Sequence, residues 1–315
     1  MSNQYFFTVI FNILPVITLF TLGYILKHVN FLKEKTIGDV KKIIVNIALP
    51  CVLFTAFSSL KMQLSFLPII IIIFFLSFFL LFLGKWIARP LGFRESYFPF
   101  MTTGFEAGMI GYALFLSMYG TENLDKFALV DLGQVVFVFT IYMAFVQRQQ
   151  NQGKAGSNLA KRLFSSPVIL SILLGIITSL LKPYVTIRSS LFLGYVNETI
   201  QILANLTVPL ICLVIGYELK FEKDGLLAAV KTIVARLVLT ITAAFLVNAF
   251  IITRLFQLPD IYRKAVFTLF ILPPPFVITV FISRKNTKEE AYITNTLSIH
   301  VLVTAVLFVI FNLWF

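Results

Sequence analysis

Apolar residues fill ten stretches of the chain, each near the length of about 20 residues that an α-helix needs to cross a bilayer. Short polar segments separate these stretches. Numbered in chain order, predicted spans 1 to 10 cover residues 5–26, 38–60, 66–84, 97–118, 127–146, 165–181, 191–217, 226–252, 263–283 and 290–313. The pattern predicts an all-α integral membrane protein with ten transmembrane helices.

The order of motifs in spans 1 and 2 returns in spans 6 and 7. PVITLFTLGYI at residues 15–25 is echoed by PVILSILLGII at residues 167–177. Asn46 stands four residues before Pro50, and Asn205 stands four residues before Pro209. We therefore predict two five-helix repeats, residues 1–146 and 165–315, joined by a polar cytoplasmic linker at residues 147–164.

Composition excludes a soluble protein, because 59% of the residues are hydrophobic and 13% are charged. Basic residues are divided unequally between the two sets of loops. One set holds 18 Lys and Arg and the opposite set holds seven, so the positive-inside rule makes the first set cytoplasmic. Both termini are then extracytoplasmic in the plasma membrane, and an odd number of helices per repeat makes the two repeats inverted.

Spans 4 and 9 carry residues that disturb a helix at comparable depth. Span 4 contains Glu106 among Gly104, Gly108 and Gly111, and span 9 contains Pro273, Pro274 and Pro275. Each Pro removes a backbone donor, and Gly disfavours a helix. We expect both spans to break and meet at the midplane, where half-helix starts would bind an anion. Close helix packing through the small residues is the alternative.

Other polar residues in the apolar spans are candidates for substrate binding. Arg236 lies near the middle of span 8, where it either anchors an anion or forms a structural ion pair. Asn46 with Pro50 and Asn205 with Pro209 either add polar groups to the site or only kink their helices.

Two further residues are candidates for proton coupling, in addition to Glu106. His300 in span 10 could carry protons, although a hydrogen bond to the neighbouring Thr296 or Thr304 is the explanation we expect. Asp131 in span 5 is expected near the outer surface, within reach of water. We find no motif of an intramembrane enzyme and no metal-ligand spacing, so we expect no catalytic residues, no metal and no cofactor.

The chain resembles the auxin efflux carrier family, which includes plant PIN-formed carriers and bacterial malate and malonate permeases. The resemblance rests on NIALP (residues 46–50), VPLICLVIG (208–216), the Pro-centred span 9 and the Gly-x-x-Gly of span 4. It implies two inverted five-helix repeats with helices 4 and 9 broken and crossing, similar to bile acid sodium symporters. It also implies transport of an organic anion.

Span 4 departs from the family pattern, with Glu106 in place of Asn and Ala113 in place of Pro. Glu106 is therefore either protonated when substrate is bound, paired with Arg236, or bound to a cation such as Na⁺. We expect a secondary carrier of a small carboxylate such as malate, working by an elevator-like or rocking motion, with H⁺ or Na⁺ as alternative coupling ions. A sodium-coupled symporter, a channel and an anion sensor are the other hypotheses. The expected partners are the anion and the lipid bilayer, with no nucleic acid and with a homodimer left open.

Overall fold

The computed structural model describes residues 3–60, 66–150, 166–181, 191–281 and 287–314, and within them every regular element is a helix. Each predicted span overlaps at least one helical segment, and spans 4 and 9 are interrupted. In chain order these are α1 (Asn3–His28), α2 (Glu34–Ser59), α3 (Leu67–Ala88), α4 (Phe98–Met101), α5 (Ala107–Tyr119), α6 (Thr121–Gln149), α7 (Pro167–Leu181), α8 (Leu191–Asn205), α9 (Thr207–Glu218), α10 (Leu226–Leu255), α11 (Asp260–Phe270) and α12 (Thr287–Trp314).

Six helical stretches of the described chain are long and apolar enough to cross a membrane. They are α2, α3, α6, Gly194–Glu218, α10 and Lys288–Trp314. Shorter apolar helices occur at Leu14–His28 and in α5 and α7. The protein is therefore membrane-embedded, whereas passage of all ten spans through the bilayer and the inverted symmetry stay predictions.

Hydroxyl groups within the apolar helices bond back to the preceding turn. The Oγ atom of Ser77 donates to Ile73 O at 2.9 Å, and Thr178 Oγ1 donates to Leu174 O at 2.8 Å. A lipid environment offers these hydroxyls no water, so the backbone carbonyl four residues earlier satisfies them.

The chain divides into two compact units. The first unit comprises residues 1–66, 108–129 and 160–219, and the second comprises residues 67–107, 130–159 and 220–315. Each unit combines spans from both predicted repeats, with spans 1, 2, 6 and 7 in the first unit and spans 3, 8, 9 and 10 in the second. The linker predicted at residues 147–164 separates two sequence repeats, and these do not correspond to the two compact units. The division into repeats stays a prediction. Most of that linker lies outside the described residues.

Two glycines of the repeated motif make matching contacts inside the first unit. Gly23 of α1 leaves no room for a Cβ atom against the backbone of Leu213 in α9. Gly175 of α7 leaves none against Phe57 and the backbone of Phe54 in α2. Both glycines stand eight residues after the Pro of their motif, and Phe54 and Leu213 each stand four residues after Pro50 and Pro209. Equivalent residues of the two predicted repeats thus exchange partners, as related repeats would.

Candidate functional site

Span 4 is interrupted between α4 and α5. Residues 102–106, here called the first interruption, have no helical conformation. Gly104 adopts φ +66°, a left-handed conformation that costs other residues about 1–2 kcal/mol. A Cβ atom on Gly104 would also lie 2.7 Å from Pro275 Cγ, so a glycine is required at this position. The break predicted around Gly104 and Glu106 is present.

Span 9 is interrupted between α11 and a short 3₁₀ helix. Residues 271–275, the second interruption, contain all three consecutive prolines, and the helical conformation resumes at Phe276–Phe281. Pro273, Pro274 and Pro275 have no backbone N–H to continue the α-helical ladder. The predicted break in this span is therefore also present.

The two interruptions contact each other through Glu106. Its backbone N–H donates to Pro273 O at 2.9 Å, and its carboxylate Oε2 accepts from the backbone N–H of Phe276 at 2.5 Å. Glu106 is partly buried. An anion was expected to bind backbone amides where the half-helices start. One such amide, that of Phe276, instead donates to the carboxylate of Glu106.

Arg236 binds backbone carbonyl groups rather than an acid. Its side chain is fully buried, with 0% exposure. Nη1 donates to Met101 O at 2.8 Å and Thr103 O at 3.2 Å, and Nη2 donates to Gly104 O at 2.5 Å and Leu272 O at 3.0 Å. We call these four acceptors the carbonyl cage. All four hydrogen bonds go to backbone carbonyls, and the three alternatives for Glu106 stay predictions.

An aromatic ring lies against the guanidinium group of Arg236. The ring centroid of Phe105 lies 5.1 Å from Arg236 Cζ, and the same ring packs against Phe270 with centroids 4.8 Å apart. The negative face of an aromatic ring stabilises a cation where water is excluded. Phe105 therefore supports the charge from within the first interruption.

Gln134 of α6 binds the peptide groups on both sides of Phe105. Its Oε1 accepts from Phe105 N and its Nε2 donates to Phe105 O, both at 3.2 Å, while Nε2 also donates to Asp131 Oδ1 at 2.7 Å. Asp131 is 1% exposed and Gln134 is 3% exposed. The expectation that water reaches Asp131 near the surface is therefore wrong, because this carboxylate is buried and helps to orient Gln134.

His300 of α12 is fully buried, and neither ring nitrogen has a hydrogen-bond partner among the described residues. The hydroxyl of Thr296 donates to Tyr292 O, and the hydroxyl of Thr304 donates to Ile271 O at 2.7 Å. The expected hydrogen bond between His300 and a neighbouring Thr is therefore wrong. Thr304 instead holds the second interruption, a role that its helical spacing from His300 could have suggested.

The remaining predicted site residues belong to the first unit. Asn46 is exposed, donates to Lys42 O at 2.8 Å, and lies in a π-helical turn, Ile44–Ala48, just before Pro50. Asn205 is exposed at the end of α8, one residue before the chain leaves helical conformation at Leu206. Gly108 and Gly111 lie in the first turn of α5. The participation of these residues and of Pro209 in substrate binding stays a prediction.

Among the described residues, no cluster of three or more His, Cys, Asp or Glu side chains could hold a metal ion. The site consists of backbone groups held by two charged side chains and two polar ones. Such irregular backbone in an apolar helical protein is characteristic of membrane carriers. The fold and site therefore define the class as a membrane transporter.

Comparison with known proteins gives the family. The model of the membrane transport protein family matches residues 8–158 and 154–313, so the chain belongs to this family. It is the auxin efflux carrier-like family that the motifs resemble. The chain is 25% identical to an uncharacterized transporter of Methanocaldococcus jannaschii over 248 residues, covering 76% of this chain and 79% of the relative. It is 27% identical to an uncharacterized transporter of Methanothermobacter thermautotrophicus over 218 residues, covering 67% of this chain and 68% of the relative. These names point to transport rather than catalysis.

Proposed function

We propose that the protein is a secondary active transporter of a small organic anion, such as malate, and works by alternating access in the plasma membrane. The observation that carries this proposal is the position of Glu106. Its backbone N–H joins the first interruption to Pro273 of the second, and its carboxylate accepts from Phe276, the residue that follows the second interruption. A carboxylate already accepts from Phe276 N–H, so this amide suits the same group on a substrate. The family and the names of the relatives support transport.

Competition for the amide of Phe276 favours coupling to protons. A substrate carboxylate can accept from this N–H only after Glu106 moves away, and two carboxylates held side by side repel each other. Protonation of Glu106 removes that repulsion. The proton also offsets part of the membrane potential, which opposes uptake of an anion by about 2.3 kcal/mol per charge per 100 mV.

The division of the chain favours an elevator-like motion. Both interruptions, Arg236 and Glu106 belong to the second unit, so the described part of the site can move as one body. Each unit contains spans of both predicted repeats, which is the arrangement that inverted repeats would require for alternating access. A rocking motion is the alternative for the same architecture.

Flux measurements on Glu106→Gln in proteoliposomes test the proposal. Glutamine can still accept from Phe276 N–H but cannot exchange a proton. We expect wild-type protein to accumulate radiolabelled malate when a pH gradient, acid outside, is imposed. The variant should equilibrate malate without accumulating it. Glu122→Gln, a change at an exposed acid in the first turn of α6, is the matched control and should behave as wild type.

Each alternative predicts a different result in the same assay. Accumulation by Glu106→Gln under a pH gradient would overturn proton coupling through this residue. Loss of wild-type uptake when choline replaces Na⁺ would identify a sodium-coupled symporter. Single-channel currents would identify a channel. Binding of carboxylates without flux would identify a sensor, and absence of both for a panel of mono- and dicarboxylates would refute the substrate class.

A further inference from the structure

Arg236 has a set of partners that a free cation would also have. Three carbonyl oxygens of the two interruptions and that of Met101, at the end of α4, converge on its guanidinium group at 2.5–3.2 Å. Unwound backbone carbonyls of this kind coordinate Na⁺ and K⁺ in membrane carriers and channels. The carbonyl cage thus has the chemistry of a monovalent-cation site.

The cage needs a positive charge to be stable. A buried carbonyl without a donor costs about 1–3 kcal/mol, and four such dipoles pointing at one place also repel one another. The interruptions leave these carbonyls without their helical partners. A cation at their centre satisfies all four, and the guanidinium of Arg236 supplies it without leaving the chain.

The same geometry argues against bidentate binding of a substrate carboxylate by Arg236. Each Nη atom carries two hydrogens, and the four hydrogen bonds to the cage use all of them. Nε is buried and has no partner among the described residues. A carboxylate held by the planar fork would need two parallel donors, and Nε alone remains.

We infer that the carbonyl cage is a monovalent-cation site that the protein occupies permanently with the guanidinium of Arg236. Arg236 is then a positioning residue: it holds the two interruptions together and takes no direct part in binding the anion. Resting on the proposed function, the inference further states that anion transport requires no Na⁺ at this site.

Removal of the side chain should open the cage to an external cation. We expect Arg236→Ala in detergent to melt several degrees below wild type. Millimolar guanidinium chloride should restore about half of the lost Tm, since a ligand that binds only the folded protein stabilises it. Choline chloride at equal ionic strength should restore none. NaCl tests whether the vacated cage also accepts a small cation.

Arg254→Ala is the matched control. Arg254 lies in the same helix, α10, and its Cζ lies 5.4 Å from the ring centroid of Phe250, but it is exposed and has no carbonyl cage among the residues that the structure describes. Its Tm should not respond to guanidinium. A wild-type Tm for Arg236→Ala, or equal effects of guanidinium and choline on it, would overturn the inference.

Two further measurements keep the inference separate from the proposed function. If Arg236→Ala does not fold, the Tm of the wild-type protein is measured in NaCl and in choline chloride. A higher Tm in NaCl would contradict the inference, because the carbonyl cage would already be filled by Arg236. In flux assays, wild-type uptake should be equal in Na⁺ and choline. Transport that requires Na⁺ would overturn the inference and leave a carrier. Absence of all transport would overturn the proposed function and leave the thermal result valid.

Discussion

Gly104 meets a conformational, a hydrogen-bonding and a packing requirement of the first interruption. Its φ of +66° turns the chain, its carbonyl accepts from Arg236 Nη2, and its missing Cβ leaves space for Pro275. No other residue type meets the conformational and the packing requirement together.

Substitution of Gly104 by Ala should therefore be costly. We expect a loss of about 2–5 kcal/mol in stability, the sum of left-handed strain and overpacking against Pro275. Gly92→Ala is the control, because Gly92 has φ +75° but nothing within 4 Å of its Cβ position, and it should lose only the strain, about 1–2 kcal/mol. Thermal melts in detergent compare the two variants, and equal losses would show that contact with Pro275 is unimportant.

The sequence predicts the structural effect of a residue where that effect depends only on its neighbours along the chain. Three prolines and a glycine disturb a helix in any context, so the interruptions were visible in the sequence. The apolar surroundings of Arg236 were visible too, but its partners were not, since backbone carbonyls have no sequence signature. The burial of Asp131 depends on its neighbours in the fold, and a pattern of residues along one helix does not contain that information.

Packing between elements follows the repeated motif in the first unit. Gly23 brings α1 against α9, and Gly175 brings α7 against α2. The helices approach closely at these glycines, where an added Cβ atom would meet atoms of the neighbouring helix. The sequence echo predicted related repeats, and which helix packs on which became visible only in the structure.

Alanine at either glycine should weaken the first unit by a comparable amount. We expect Gly23→Ala and Gly175→Ala each to lose about 1–3 kcal/mol by overpacking, partly offset by the better helix propensity of Ala. Gly38→Ala in α2 is the control, since nothing lies within 4 Å of its Cβ position and the propensity gain of up to about 1 kcal/mol should remain. Stabilisation by all three substitutions, measured as Tm, would show that the close approach is not required.

At the scale of the whole molecule, the distribution of basic residues predicts the orientation of the chain. Alkaline phosphatase fused to the C-terminus should be active in a bacterial host, whereas green fluorescent protein fused there should be dark. A fusion of green fluorescent protein after residue 158, in the predicted cytoplasmic linker, should fluoresce. A bright C-terminal fusion would place the C-terminus inside and contradict the predicted orientation, and brightness of both fusions would contradict five crossings in the second repeat.

The opposite charges of Arg236 and Glu106 belong to one unit and are each satisfied by peptide groups of that unit. If that unit travels through the electric field of the membrane with Glu106 ionised, the two charges travel together and their electrical work cancels. These two charges would then contribute no voltage dependence to the return of the empty carrier.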